Sequence, residues 1–170
     1  MEYTLGKIVD LLNLEDFSEI YLKADEIRKE NAGDIVHIRA ILEFSNYCRR
    51  KCKYCGLNCT NKDVKRYRMS SEEIISTAFE AAMNGYKTLV LQSGEDAYYT
   101  PEILGKIVKS IKKFNIDITL STGEMNYDSY AYLKECGADK YLLKHETADE
   151  NLYGYLHPCG TLKERVQCLK

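Results

Sequence analysis

Apolar residues recur along the chain with two different spacings. Segments in which they return every three or four residues predict helices, and short runs rich in β-branched residues predict strands. The predicted strands cover residues 35–44, 88–92, 116–120 and 140–143. The predicted helices cover residues 17–32, 70–84, 100–111, 127–136, 149–156 and 161–170.

From residue 35 onward, strands and helices alternate, and this order favours one parallel sheet covered by helices. The sequence therefore predicts an α/β fold in which residues 1–34 form a helical lead-in and residues 35–170 form the core domain. Because all strands of a parallel sheet run in the same direction, their carboxyl ends meet at one rim. Folds of this class place their chemistry at that rim.

Composition excludes several classes of protein. The 170 residues suit one domain, and the net charge of −2 argues against a dedicated nucleic-acid-binding protein. No apolar run approaches the ~18 residues that span a bilayer, and the first residues lack the basic and apolar pattern of a secretory signal. We therefore expect a cytoplasmic protein that binds neither nucleic acid nor membrane.

Seven cysteines are many for such a chain, and four of them lie close together. Cys48, Cys52 and Cys55 have the spacing C-x3-C-x2-C, and thiolates are suitable ligands for iron–sulfur clusters and zinc. Three ligands to a four-iron cluster leave one iron open to a small molecule. The alternative uses Cys59 as a fourth ligand, which would give a structural zinc site or an electron-transfer cluster.

The cysteine segment is strongly basic. Residues 49–68 contain eight Lys and Arg side chains and only one acidic residue, Asp63. We interpret this charge as a solvated face or as positive charge close to an anionic cluster and its reductant. A nucleic-acid-binding patch is the alternative that the charge pattern leaves open.

Polar residues follow the other predicted strands. The set, in chain order, is Gln92, Gly94, Glu95, Thr119, Ser121, Lys144, His145 and Glu146. Glu95 and Glu146 offer carboxylates to an ammonium group or to hydroxyls, and Gly94 lets the backbone approach a ligand closely. In isolation, a plain turn or a surface carboxylate explains each of them. Their convergence on one rim is the stronger argument for a site.

Together, these residues identify a family resemblance. The chain resembles the radical S-adenosylmethionine enzymes, and within them the E-type maturases of [FeFe] hydrogenase, relatives of biotin synthase and methylornithine synthase. The motifs that carry it are E-F-S-N-Y-C (43–48), Y-C-G (54–56), R-Y-R-M (66–69), L-Q-S-G-E-D (91–96), I-T-L-S (118–121), G-A-D-K-Y-L-L-K-H-E-T-A (137–148) and L-H-P (156–158).

The resemblance implies a role for each matching residue. The ligands of a [4Fe–4S] cluster would be Cys48, Cys52 and Cys55. S-adenosylmethionine would be bound by Tyr54 near its adenine, Glu95 at its amino group, and Glu146 and Arg165, the latter at its carboxylate. The substrate cavity would be lined by Gln92, Thr119 and Ser121. Lys144 stands where related maturases carry arginine, so it keeps the charge but loses the bidentate fork.

The implied activity is enzymatic. The cluster would cleave S-adenosylmethionine to a 5′-deoxyadenosyl radical during assembly of the hydrogenase active-site cluster, with a small molecule or small iron complex as substrate. The implied partners are a reductant such as ferredoxin or flavodoxin and other hydrogenase maturases. Two alternatives stay open: another biotin-synthase-like enzyme, such as a methylornithine synthase, or a non-catalytic zinc or iron–sulfur module with four cysteine ligands.

The length of the chain limits the fold that the resemblance implies. A (βα)8 barrel usually needs about 250 residues, whereas this sequence predicts only four βα units after the N-terminal helix. We therefore expect the N-terminal half of a TIM-type barrel, with open edges at its first and fourth strands. A truncated chain and a dimer of two half barrels are the two explanations.

Overall fold

The computed structural model describes residues 4–170. Contacts within the chain divide it into two compact units, Met1–His37 and Ile38–Lys170. The first unit carries two helices, and the second carries the sheet with its helices. Among residues 4–170, no helix is both long and apolar enough to cross a membrane.

The first unit consists of α1 (Leu5–Leu12) and α2 (Ser18–Ala32). The Thr4 hydroxyl caps α1 by accepting a hydrogen bond from the third residue of the helix. α2 confirms the helix predicted from apolar spacing, and it ends at Gly33, whose φ is +70°. α1 is an additional helix, for which eight residues gave too short a pattern to indicate one.

The second unit alternates strands and helices, as the apolar pattern predicts. Its strands are β1 (Ala40–Ser45), β2 (Thr88–Ser93), β3 (Asp117–Ser121) and β4 (Lys140–Tyr141). Its helices are α3 (Ser71–Met83), α4 (Pro101–Lys112), α5 (Tyr127–Glu135), α6 (Glu150–Leu156) and α7 (Leu162–Leu169). Ser70 and Thr161 begin α3 and α7 with the capping boxes expected from the sequence.

Two of the predicted strand boundaries are wrong. β1 begins at Ala40 rather than at residue 35, because its first partner in β2 is Leu89 and β2 itself begins at Thr88. Among residues 4–170, no strand pairs with Val36, which is 84% exposed. β4 ends at Tyr141 rather than at residue 143, although one further backbone hydrogen bond to β3 follows it.

The four strands form one parallel sheet in the order β1-β2-β3-β4. Alternate side chains of each strand point toward the helices and form the hydrophobic core. This core includes Phe44, Leu89, Leu91, Ile118 and Leu120 of the strands, with Ile74, Ile107, Val108, Ile111 and Leu133 of the helices. The α/β class predicted from the sequence is confirmed.

The opposite face of the sheet carries a different set of residues. One row across it runs through Ile41, Val90, Thr119 and Lys140, and the next runs through Glu43, Gln92 and Ser121. Ile41, on the edge strand β1, is 63% exposed, whereas Val90 and Thr119 in the middle of the same row are only 6% and 8% exposed. Polar groups increase toward the carboxyl ends of the strands, where the cysteine loop lies.

Candidate metal centre at the carboxyl ends of the strands

The cysteine loop, residues 46–69, leaves the end of β1 and is held in shape by one arginine. The Arg66 guanidinium donates hydrogen bonds to four backbone carbonyls, those of Asn46, Leu57, Asn58 and Asn61. A planar group with five N–H donors can satisfy several carbonyls of an irregular loop at once. The R-Y-R-M motif therefore has a structural role, which is to fold the loop that carries the thiols.

Two backbone groups donate toward the first thiol. The N–H groups of Arg50 and Glu95 each lie 3.4 Å from Sγ of Cys48. Donors in this position stabilise a thiolate, which is the form that binds a metal. Glu95 belongs to the segment after β2, so this contact joins the cysteine loop to the neighbouring strand end.

The thiol of Cys52 lies close enough to those of Cys48 and Cys55 for their charges to affect its pKa. Burial, and after it the nearby Cys48 and Cys55, raise the pKa of Cys52 to about 11. This grouping disfavours deprotonation of Cys52 until a cation neutralises the charge. Among residues 4–170, no three His, Cys, Asp or Glu side chains are already gathered at metal-binding distance. The thiols would therefore close around a cluster as they bind it.

Cys59 is in the same loop, and its N–H donates to the carbonyl of Arg50 at 2.9 Å. Its thiol is half-buried. The donor set of three neighbouring thiols, with N–H groups directed at one sulfur, fits an iron–sulfur cluster with an open position.

Gly94 brings β2 into close contact with the cysteine loop. A Cβ at this position would lie 2.2 Å from the carbonyl oxygen of Tyr47 and 2.8 Å from Cβ of Cys48. The sequence predicted a close approach here to a ligand; the structure shows that the cysteine loop itself occupies that space. The glycine thus sets how near the first thiol lies to the end of β2.

We expect Gly94→Ala to destabilise the chain by about 1–3 kcal/mol, because the backbone of the cysteine loop must move to admit the methyl group. Urea unfolding measures this loss. Gly56→Ala is the matched control, since Gly56 lies in the same loop with no atom within 4 Å of the added Cβ. Equal stability of the two variants would contradict the close contact described here.

Five charged side chains form what we call the arginine–glutamate network. Glu95 Oε1 accepts from Arg49 Nε at 2.9 Å, and Glu95 Oε2 accepts from Arg50 Nε at 2.6 Å. Glu124 Oε2 accepts from Arg50 Nη2 at 2.6 Å, and Glu124 Oε1 forms an ion pair with Arg165 Nε at 2.8 Å. Three cations and two carboxylates leave one surplus positive charge, which suits an anionic group of a ligand.

The network connects four parts of the chain: the cysteine loop, the segments after β2 and β3, and α7. Its carboxylates are largely buried, with the side chains of Glu95 and Glu124 only 10% and 12% exposed. Burial favours a higher pKa for Glu95, but the hydrogen bonds from Arg50 and Arg49 outweigh it and hold that pKa below its usual value. Glu95 is therefore ionised at neutral pH.

Asp96, the last residue of the L-Q-S-G-E-D motif, ties β1 to the loop. Its carboxylate accepts hydrogen bonds from Ser45 Oγ at 2.7 Å and from Nε and Nη2 of Arg68 at 2.7 and 2.9 Å. Burial favours a raised pKa for Asp96, but these donors outweigh it and lower that pKa. Both carboxylates of the motif thus hold the cysteine loop against the strand ends.

A second group of predicted residues meets around a histidine. Tyr54 Oη lies 2.7 Å from Nε2 of His157. Burial and then the charge of Glu146 raise the pKa of Tyr54, so its hydroxyl stays protonated. Glu146 has a φ of +70°, which is uncommon for a residue other than glycine and occurs preferentially at functional sites.

The other predicted site residues lie in three different places around the strand ends. Gln92, Thr119 and Ser121 share the face of the sheet opposite the helices, with Gln92 paired to Ser121 across β2 and β3. Lys144 is exposed, and its carbonyl oxygen lies 3.4 Å from Nη1 of Arg165. Arg165 is only 9% exposed, so its guanidinium is held inside the network rather than at an open rim.

Three residues at the site were not found from the sequence: Arg50, Glu124 and His157. Glu124 lies three residues beyond β3, so extending the strand-end argument past Ser121 would have included it. His157 stands in the L-H-P motif, between a helix end and a proline, but nothing local shows that it faces the cysteine loop. Arg50 was counted only as part of the basic charge.

The fold and the cysteine site together define the class of protein. The model of the Radical SAM superfamily matches residues 42–170, and the chain belongs to this family. Enzymes of the family bind a [4Fe–4S] cluster and S-adenosylmethionine, and the three thiols of the loop fit the cluster.

Sequence comparison identifies particular relatives of the chain. The chain is 50% identical to the [FeFe] hydrogenase maturase subunit HydE of Thermotoga maritima over 99% of this chain and 49% of that protein. It is 31% identical to the 3-methylornithine synthase of Methanosarcina acetivorans over 95% of this chain and 47% of that protein. The chain thus spans about half the length of these relatives.

Solved structures give the same result for the fold. The crystal structure of methylornithine synthase matches with a TM-score of 0.88 and 30% identity, over 99% of this chain and 52% of that one. The crystal structure of HydG, a maturase of the [FeFe]-hydrogenase, matches with a TM-score of 0.86 and 27% identity, over 96% and 39%. The prediction of the N-terminal half of a barrel is confirmed.

Proposed function

We propose that this chain carries the cluster-binding half of a radical S-adenosylmethionine enzyme that acts in [FeFe]-hydrogenase maturation. The observation that carries the proposal is the 50% identity, over 99% of the chain, to a protein named as an [FeFe] hydrogenase maturase. The cysteine loop and the polar strand ends described above lie within the matched region. A cytoplasmic location agrees with free thiols that must stay reduced.

Cys48, Cys52 and Cys55 are the proposed cluster ligands. A cluster bound there would supply the electron for cleavage of S-adenosylmethionine to methionine and a 5′-deoxyadenosyl radical. The chain positions the three thiols through Arg66, which folds the loop, and through the N–H groups directed at Cys48. Gly94 keeps this loop close to the end of β2.

S-adenosylmethionine is proposed to bind between the cysteine loop and the ends of β2 and β4. Tyr54 would pack near the adenine, since its ring is half exposed while its hydroxyl is held by His157. Glu95 would receive the amino group; because both of its oxygens already accept from arginines, the amine would share that carboxylate with Arg49 or Arg50.

The remaining contacts to S-adenosylmethionine are proposed for Arg165, Glu146 and Lys144. Arg165 would pair with the carboxylate, and the surplus positive charge of the arginine–glutamate network supports this role. Its burial means that the ligand must reach into the network, close to the small cavity that Arg165 lines with Cys52 and His157. Lys144 would add a single charge where a bidentate fork is absent.

The substrate is proposed to lie at the carboxyl-terminal end of the sheet face opposite the helices. Gln92 and Ser121 place a partly exposed amide and hydroxyl there, and Thr119, in the adjacent row, adds a hydroxyl that is only 8% exposed. Such groups suit a small polar molecule or a small iron complex. A methylornithine synthase-like activity is the second candidate, favoured by the TM-score of 0.88 to methylornithine synthase.

The reductant is proposed to be a small acidic electron carrier such as ferredoxin or flavodoxin, and other hydrogenase maturases are proposed as further partners. Arg50, Arg66 and Arg68 form hydrogen bonds or ion pairs within the chain. The exposed positive charge on the loop comes from Arg49, which is paired with Glu95, and from four unburied lysines, namely Lys51, Lys53, Lys62 and Lys65. A positive surface beside the cluster steers an acidic partner toward it.

Electron paramagnetic resonance tests the proposed chemistry. The chain is reconstituted anaerobically with iron and sulfide, reduced, and measured with and without S-adenosylmethionine. We expect the spectrum of the reduced cluster to change when the molecule is added, because it coordinates the open iron. A reduced four-iron cluster whose spectrum is identical in both samples would contradict the proposal that one iron is open to S-adenosylmethionine.

A further inference from the structure

His157 contacts the cysteine loop through both nitrogens of its ring. Nδ1 lies 3.2 Å from Sγ of Cys52, and Nε2 lies 2.7 Å from Oη of Tyr54. The histidine follows α6 and stands 105 positions after Cys52 in the sequence. It therefore reaches the cysteine loop from a different βα unit of the sheet.

The ring of His157 is held in place by its surroundings. It stacks on the ring of Tyr153, with the centroids 4.6 Å apart and the planes inclined by 20°. Arg165 Nε donates to the Tyr153 hydroxyl at 3.1 Å, and the N–H of Lys53 donates to the carbonyl of Leu156 at 3.0 Å. With His157 only 6% exposed, the orientation of its two nitrogens is imposed by packing.

Ligation of a metal by Cys52 determines which atom donates each proton. A metal-bound thiolate carries no proton, so Nδ1 of His157 must be the donor. In a neutral imidazole the other nitrogen is then an acceptor, and the hydroxyl of Tyr54 donates to it. A single arrangement of protons thus satisfies both contacts, from Tyr54 through His157 to the sulfur.

We propose that His157 is a positioning residue of the metal centre, which donates a hydrogen bond to the Cys52 thiolate and orients Tyr54 at the same time. This inference rests on the proposed function, since it requires Cys52 to be a cluster ligand. Hydrogen bonds to ligand sulfurs influence the reduction potential of a cluster. Because the reduced cluster carries more negative charge, the donor stabilises that state and makes reduction easier.

A redox titration of the reconstituted chain, followed by electron paramagnetic resonance, tests the hydrogen bond. We expect His157→Ala to shift the midpoint potential to a more negative value. His157→Asn is expected to stay near the wild-type potential, because its amide can place a donor near the position of Nδ1 but does not reach Tyr54. His37→Ala is the matched control, since His37 is exposed in the first unit and its loss should leave the potential unchanged.

Alkylation of the metal-free chain provides a measurement that does not depend on the cluster. Iodoacetamide labelling, read by mass spectrometry, compares Cys52 with Cys48 and Cys55 in each variant. We expect His157→Ala to accelerate labelling of Cys52 several-fold relative to the other two thiols, because the ring no longer covers its sulfur.

The two measurements separate this inference from the proposed function. A loaded cluster whose potential is the same in wild type and His157→Ala, or shifts equally in the Ala and Asn variants, would overturn the role of His157 while leaving the enzyme class intact. If the wild-type chain takes up no cluster, the proposed function fails instead. In that case unchanged labelling of Cys52 overturns the contact, and accelerated labelling supports it.

Discussion

Replacing Cys52 with alanine is expected to abolish iron–sulfur loading of the reconstituted chain, whereas replacing Cys59 with alanine is expected to leave it intact. Cys52 has Cys48 and Cys55 as its electrostatic neighbours, and all three would share one cluster. Cys59 is anchored by its backbone to the carbonyl of Arg50 and stands outside the C-x3-C-x2-C spacing of the three proposed ligands. Removing one of three ligands leaves the cluster with too few thiolates to hold it.

The measurement is the iron and sulfide content of each purified variant, together with the visible absorbance of the cluster. Cys159→Ala controls for the loss of a thiol, since Cys159 is exposed. If Cys59→Ala lost its metal as completely as Cys52→Ala, the site would have four protein ligands. The chain would then carry a closed structural or electron-transfer centre, and the open iron needed for S-adenosylmethionine would be missing.

The sequence predicted the order of strands and helices because the apolar spacing and helix caps are local signals. Ser70 and Thr161 indicate where α3 and α7 begin, and both form the expected capping boxes. The start of β1 was misplaced because strand length depends on a partner. Residues 35–39 have the composition of a strand, but β2 begins only at Thr88 and offers nothing for them to pair with.

The sequence predicts those site residues whose position follows from the order of the strands. It does not predict those whose position depends on side-chain contacts between distant segments. Parallel strands bring Gln92 and Ser121 into one row, and this is visible in the order of elements. In contrast, the partners of Glu95 are Arg49 and Arg50, from a loop that precedes it by more than forty positions. No periodicity or spacing rule connects such residues, because their pairing is decided only when the loop packs on the strand ends.

The same distinction explains why Glu124 was not singled out. It lies between two elements with no motif around it, yet it bridges Arg50 of the cysteine loop and Arg165 of α7. Its importance comes from burial and from the two cations it neutralises. The structure therefore makes a prediction at this position that the sequence alone did not suggest.

Glu124→Ala is expected to lower the free energy of unfolding by about 3 kcal/mol, because it leaves two guanidinium groups without their shared carboxylate in a largely buried place. The side chains of Arg50 and Arg165 are only 19% and 11% exposed, so water compensates little. Urea unfolding followed by far-ultraviolet circular dichroism measures the change. Glu135→Ala, at an exposed position near the end of α5, should change stability by less than about 0.5 kcal/mol.

A double-mutant cycle distinguishes the network from a general effect of shortening the side chain. If Glu124 acts through its ion pairs, then Glu124→Ala and Arg165→Ala together should cost less than the sum of the two single losses, because the second change removes a charge that the first left unpaired. Strict additivity would mean that the pair is not coupled. The segment after β3 would then be held by packing alone. The ion pairs of Glu124 with the cysteine loop and α7 would then contribute nothing to the free energy of unfolding.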